Sequence, residues 1–215
     1  MKIDVQQVIG AVTRTVAQRD HNGRPARIVI ATRTYDAEAD EVWDAITSPE
    51  RIPRWFLPIS GDLRLGGRYQ LKGNAGGEII ACEPPHMLSV TWEFAGEVSW
   101  LTLRLSEPGK GKTMLELEHV AHVDDARWRQ FGPGAVGVGW DMGLMGLGRH
   151  LATGASADPR AAMAWLGSPE GKTFVTMSSN DWGRASVAAG TDAEQAHAAA
   201  ENTTKAYTGE APSTK

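Results

Sequence analysis

The stretch MLSVTWEFAGEVSWLTLRLSEPGKGKTMLELEHV, residues 87–120, decides the fold. Leu88, Val90, Trp92 and Phe94 occupy alternate positions, the period of a half-buried strand. Leu101, Leu103 and Leu105 repeat the pattern, with Val98, Trp100 and Thr102 facing the other way. Thr113, Leu115, Leu117 and His119 share a face and are opposed by Met114, Glu116 and Glu118. Glu107-Pro108-Gly109-Lys110-Gly111 is a turn. Connections this short cannot cross over, so the strands form an antiparallel meander.

Upstream, Glu78 to Cys82 predicts another strand, ended by Pro84-Pro85, which cannot donate to a ladder. Gly73 to Gly77 closes a hairpin with the strand from Arg68 to Lys72, and Gly66-Gly67 makes the preceding turn. Arg27 to Tyr35, rich in Ile, Val and Thr, predicts a first strand. Val42, Trp43 and Ile46 then lie on one helical face, and Ser48-Pro49 ends that helix. Pro49 can open a second helix running to about Trp55, kept short by Pro53. Before all of this, Val5, Val8, Ile9, Val12 and Val16 recur at helical spacing behind Asp4, predicting an N-terminal helix that ends near Asn22-Gly23.

Downstream, Asp124-Asp125 can cap a final long helix marked by the stripe Trp140, Leu144, Leu147, Leu151. Gly132 to Gly137, with Pro133, reads as a loop before it, because each glycine costs a helix about 1 kcal/mol against alanine. Past residue 154 come helical pieces at Pro159–Trp165, Gly171–Trp182 and Ala193–Tyr207. Their Trp165, Phe174 and Trp182 offer apolar surface for packing on the core or for a homodimer. The expected organisation is an N-terminal helix (1–22), a core domain (23–153), a helical extension (154–207) and a disordered tail (208–215).

Composition narrows the function. The 215 residues carry a net charge of −4 and no basic stripe, which argues against nucleic acid as partner. One cysteine, Cys82, forbids an internal disulfide and reads as a small apolar residue. No apolar run approaches the roughly 18 residues of a membrane span, and the N-terminus lacks the apolar region of a signal peptide. A cytoplasmic protein without membrane insertion is expected.

Signatures of catalysis are sparse. CxxC, HExxH, GxSxG and phosphate-loop patterns are all missing from the chain. His119 and His122, three apart in a strand, would point to opposite faces and could not share a metal. No catalytic residue, metal or cofactor is assigned.

The ordered set of elements resembles the helix-grip fold of the START-like (SRPBCC) superfamily. The residues that carry the likeness are Ala37 to Trp43, Arg54-Trp55-Phe56 with Pro58, and Gly61 to Gly67. Glu83-Pro84-Pro85 with Leu88 and Trp92, Thr113 to His119, and Gly139-Trp140 complete it. They resemble the bacterial branch related to the C-terminal domain of the activator of the ninety-kilodalton heat-shock protein ATPase. The likeness spans roughly residues 27 to 153.

It implies an α+β fold in which a curved antiparallel sheet wraps a long C-terminal helix over a cavity. A small hydrophobic molecule is the implied partner. Eight tryptophans supply aromatic surface for it, and the expected ligand residues are Phe56, Trp92, Trp100, His119, Trp140, Leu144 and Met145. Met142 extends this wall, and Arg68, Glu78 and Glu118 are candidate polar contacts. Two alternatives stay open: a cyclase- or hydrolase-like enzyme using His119 or a buried acid in the pocket, and a co-chaperone-like interaction module.

Overall fold

The computed structural model describes residues 3–210. Along the chain run α1 (Val5–Gly10), β1 (Val12–His21), β2 (Arg24–Tyr35), α2 (Ala39–Thr47), α3 (Ile52–Trp55) and β3 (Ile59–Gly61). Then follow β4 (Arg68–Leu71), β5 (Gly76–Glu83), β6 (Met87–Phe94), β7 (Glu97–Gly109) and β8 (Lys112–Ala121). The remaining elements are helices: α4 (Asp125–Phe131), α5 (Gly134–Thr153), α6 (Pro159–Leu166), α7 (Pro169–Ala188) and α8 (Ala193–Thr208). The class is α+β, with strand order β1-β2-β8-β7-β6-β5-β4-β3. Every pairing from β3 to β8 for which a register is resolved is antiparallel.

The chain divides into two compact units. A sheet unit holds residues 32–121 and 143–157; a terminal unit holds residues 1–31, 122–142 and 158–215.

In the sheet unit the meander is register-locked. Leu101 stands opposite Val90 on one side and His119 on the other, and Leu103 opposite Leu88 and Leu117. The β6–β7 hairpin turns through Ala95 (φ 52°) and Gly96 (φ 81°), the pair of positive φ angles of a turn that matches strand twist. Val42, Ala45 and Ile46 bury one face of α2, and the Trp55 indole N–H donates to the Ala45 carbonyl at 2.8 Å, tying α3 to α2. The second half of α5 buries Leu144, Leu147 and His150. Two groups of β2 reach the Leu144 carbonyl, the Tyr35 hydroxyl and Arg33 Nη1, each at 3.1 Å. His150 Nδ1 lies 3.0 Å from the Ala155 carbonyl, which fixes the proton there and leaves Nε2 to accept from Arg51 at 3.1 Å.

The terminal unit departs from expectation at its start. The predicted N-terminal helix stops at Gly10, and Val12–His21 is a strand. Val12 and Val16 are four apart, a spacing that fits one face of a helix and one face of a strand equally. Thr13, Thr15 and Val16 tip the choice, because β-branched side chains suit a pleated surface. Asp4 is nonetheless the N-cap of α1, accepting from the Gln7 amide.

The expected glycine loop is also shorter, since α5 begins at Gly134. A Cβ on Gly137 would stand 2.3 Å from the Trp182 indole, so packing against α7 selects glycine inside a helix that propensity disfavours. Phe174 and Trp182 are fully buried within this unit, so they expose no apolar surface for a second copy. Of the tail expected from 208, Thr208 belongs to α8 and Gly209 caps that helix at φ 77°; residues 211–215 lie outside the described residues.

Candidate functional site

Antiparallel register sorts the side chains of β4 to β8 onto two faces. One face carries Leu88, Val90 and Trp92 from β6, and Ser99, Leu101, Leu103 and Leu105 from β7. From β8 it takes Thr113, Leu115, Leu117 and His119; Tyr69, Ile79 and Cys82 continue it across β4 and β5. None of these is an acid, a lysine or an arginine. The charges sit on the opposite face, where Arg68 pairs in register with Glu78 and Arg104 with Glu116, joined by Glu93 and Glu118. Ion pairs Arg68–Glu93 (2.6 Å) and Arg104–Glu116 (3.2 Å) tie that outer layer together.

The uncharged face is not uniformly buried. Val90, Leu101, Leu105, Leu115 and Leu117 are buried, whereas Leu88, Trp92, Ser99 and Leu103 keep partial access to solvent. Its polar groups are arranged around Ser99. Ser99 Oγ donates to the Trp92 carbonyl at 3.1 Å, and His119 Nε2 lies 2.8 Å from the same oxygen. With the hydroxyl proton given to Trp92, the imidazole supplies the hydrogen to Ser99. The His119 and Trp92 rings stand 6.4 Å apart at 59°. Burial in this apolar setting disfavours the imidazolium and pulls the His119 pKa down to about 4. The other hydroxyls on the face are already committed: Thr113 donates to the Ala37 carbonyl (2.7 Å) and Tyr69 to the Thr91 carbonyl (2.8 Å). Burial raises the pKa of Tyr69 as well, so it stays neutral.

The expected ligand residues are distributed unevenly over this geometry. Trp92 and His119 come together on the uncharged face through Ser99, a residue that the sequence reading passed over although it falls on the leucine face of its strand. Trp100 pairs with Thr91 and Val120 and projects from the charged side, so it is not part of that constellation. Arg68, Glu78 and Glu118 belong to the same outer side and are not polar contacts of the inner face. Phe56 is half-buried and stacks on Trp55, ring centres 5.4 Å apart. Leu144 is buried and Met145 half-buried on the α5 segment of the sheet unit. Trp140 is a buried residue of the terminal unit, and Met142, half-buried, lies there too.

The terminal unit holds a different polar cluster. Asp141 accepts at Oδ2 from Arg14 Nε (2.9 Å), from Trp182 Nε1 (3.2 Å) and from the Ser178 hydroxyl, while Oδ1 has no hydrogen-bond partner. Arg14 also reaches Asp181 (3.0 Å) and the carbonyls of Ile9 and Val12. Burial raises the Asp141 pKa, opposed by the Arg14 charge and the hydrogen bonds it accepts. The one visible signal for this cluster in the sequence is a lone acid inside the apolar run from Val136 to Leu147. A cavity of about 430 Å³ between α7 and α8, lined by Gly183, Val187, Ala196 and Ala200 under Arg184 and His197, contains none of the expected ligand residues. Among the described residues, no group of three His, Cys, Asp or Glu side chains could hold a metal ion. No described helix is long and apolar enough to cross a membrane.

Residues 36–152 match the family described as Activator of Hsp90 ATPase homolog 1-like protein. The crystal structure of CalU16 from Micromonospora echinospora is 38% identical over 78% of this chain and 98% of that one, with a TM-score of 0.59. The solution structure of CalU16 matches at 36% identity over 88% of this chain and 97% of that one, TM-score 0.68. DynU16, a protein in the dynemicin biosynthetic locus, is 25% identical over 60% of this chain and 48% of its own length, TM-score 0.51. Comparison with curated proteins found no match. The helix-grip architecture is thus shared with these neighbours.

Proposed function

The chain belongs to the family of Activator of Hsp90 ATPase homolog 1-like proteins, and on that footing we propose that its sheet unit binds a small apolar molecule on the uncharged face of β4–β8. One observation carries the reading. Leu88, Trp92 and Leu103 retain solvent access on a face otherwise built of buried aliphatic side chains. Covering such surface is favourable by about 25 cal/mol per Å², and Leu88, Trp92, Ser99, Leu101, Leu103 and His119 put no charge against it. The Trp92 indole offers the largest apolar area there. Phe56, Leu144 and Met145 are the further contacts proposed within the same unit. A place for DynU16 in a biosynthetic locus supports a small organic molecule over a macromolecular partner.

The Ser99–His119 distance is also that of a nucleophile and its base, which favours a hydrolytic reading second. Basicity weighs against it: an imidazole with a pKa near 4 is a weak base, and an uncharged wall cannot offset the charges that proton transfer would create.

The test is a fluorescence titration of the full chain with N-phenyl-1-naphthylamine, a neutral apolar probe. Saturable binding is expected with a Kd of about 10 μM or tighter, weakened roughly tenfold by Trp92→Ala. Absence of saturable binding, or binding indifferent to Trp92→Ala, contradicts the proposal. Ser99-dependent hydrolysis of p-nitrophenyl butyrate would put catalysis in its place.

A further inference from the structure

We propose that the ligand of this face is uncharged and carries a hydroxyl, phenol or amide that meets the Ser99–His119 pair, and that ionised carboxylates and ammonium groups are excluded. The inference rests on the binding reading above and narrows it to a chemical class.

Three features of the face lead there. The first is the segregation of charge. Register places every Asp, Glu, Lys and Arg of the paired stretches 68–71, 88–93, 99–105 and 113–119 on the outer side of the sheet; Glu97, opposite Phe94, has the inner parity and stands exposed beside the β6–β7 turn. An ion over Trp92 and Ser99 would lose its water for little return: the Arg33 guanidinium is held by the Leu144 carbonyl, and Glu97 is exposed and screened by solvent. The second is the position of the accessible polar group. Thr113 and Tyr69 have given their protons to backbone carbonyls and are buried. Ser99 is half-buried beside half-buried Trp92, so a ligand lying on the indole brings its own polar atom to the Ser99 oxygen. The third is what Ser99 and His119 can offer. Each is a neutral hydrogen-bonding group, and they already satisfy one another at 2.8 Å. A purely apolar ligand therefore leaves no orphaned donor, and one with a neutral polar group gains a further hydrogen bond worth about 1 kcal/mol. An anion or cation gains no such compensation.

The inference fixes a ranking of three probes of matched shape, measured by calorimetry on the full chain at pH 7.5: neutral 2-naphthol, anionic 2-naphthoate and cationic 2-naphthylmethylamine. The expected order has 2-naphthol at least tenfold tighter than either ion. Ser99→Ala, which removes one oxygen and keeps the strand, is expected to weaken 2-naphthol about fivefold at a temperature where both proteins are folded, and to lower the melting temperature because the His119 N–H loses its acceptor. Equal or tighter binding of 2-naphthoate or 2-naphthylmethylamine overturns the exclusion of ions while leaving an apolar site in place. Binding of 2-naphthol that ignores Ser99→Ala overturns the polar contact. Failure of all three probes overturns the binding reading itself, and this inference with it.

Discussion

Replacing Asp141 with alanine is expected to destabilise the terminal unit by about 3 kcal/mol or more. The side chains of Asp141 and Arg14 are 1% and 4% exposed, so the pair is screened very little by water. Two effects oppose each other. The carboxylate is poorly solvated, as its raised pKa and unpartnered Oδ1 indicate, and removing it relieves that penalty. Removal also strips the acceptor from three donors, on Arg14, Ser178 and Trp182. Each orphaned buried donor costs about 1–3 kcal/mol, more when charged, so the loss wins. Arg14 retains Asp181, which keeps the cost below that of a wholly isolated buried cation.

The expected order of stability is wild type, then Asp141→Asn, then Asp141→Ala. The double variant Arg14→Met/Asp141→Leu regains most of the loss, because it removes charge and donor together. Urea denaturation followed by tryptophan fluorescence measures the series. A stability within about 0.5 kcal/mol of wild type for Asp141→Ala contradicts the assignment of Asp141 as the hub of this unit.

The second large effect is a loss of stability in mild acid that His119 causes. Its folded pKa, about 4, lies below the unfolded value of 6.5. Above about pH 7 both states hold a neutral ring, and the full contribution is present. As pH falls through 6.5 the unfolded chain takes up a proton that the folded chain refuses until about 4, so stability declines across that window. At 1.36 kcal/mol per pKa unit the decline amounts to about 3 kcal/mol. His119→Gln, neutral throughout, is expected to flatten the stability profile between pH 6.5 and 4.5 relative to wild type. Chemical denaturation at a series of pH values reads the two slopes. Identical slopes contradict a buried, neutral His119.

Much of the fold is legible in the residues because its strands alternate strictly. Leu88 to Phe94 and Thr113 to His119 admit one period, so strand, face and hairpin follow directly. Legibility fails where two periods coincide, as at Val12 and Val16, or where a partner distant in sequence selects the residue. Gly137 reads as a breaker until Trp182 is seen against it, and propensity carries no information about an indole 45 positions away. The site shows the same division. His119 and Trp92 are recognisable from their places in an apolar pattern. Trp100 is not separable from them by residue type alone; its parity in β7 decides the matter, and the pairing with Val120 shows it facing outward. The Arg14–Asp141–Ser178 cluster joins residues 127 and 37 positions apart, for which a single sequence offers only the oddity of one acid among apolar neighbours.

Methyl and amide chemical-shift mapping of the full chain during titration with 2-naphthol tests the ligand-binding face most directly. The expected perturbations cluster at Leu88, Val90, Trp92, Ser99, Leu101 and His119, on one side of β6–β7–β8. Perturbations confined to the outer side, at Val98, Trp100, Glu116 and Val120, or to the groove at Val187 and Ala196, would contradict it.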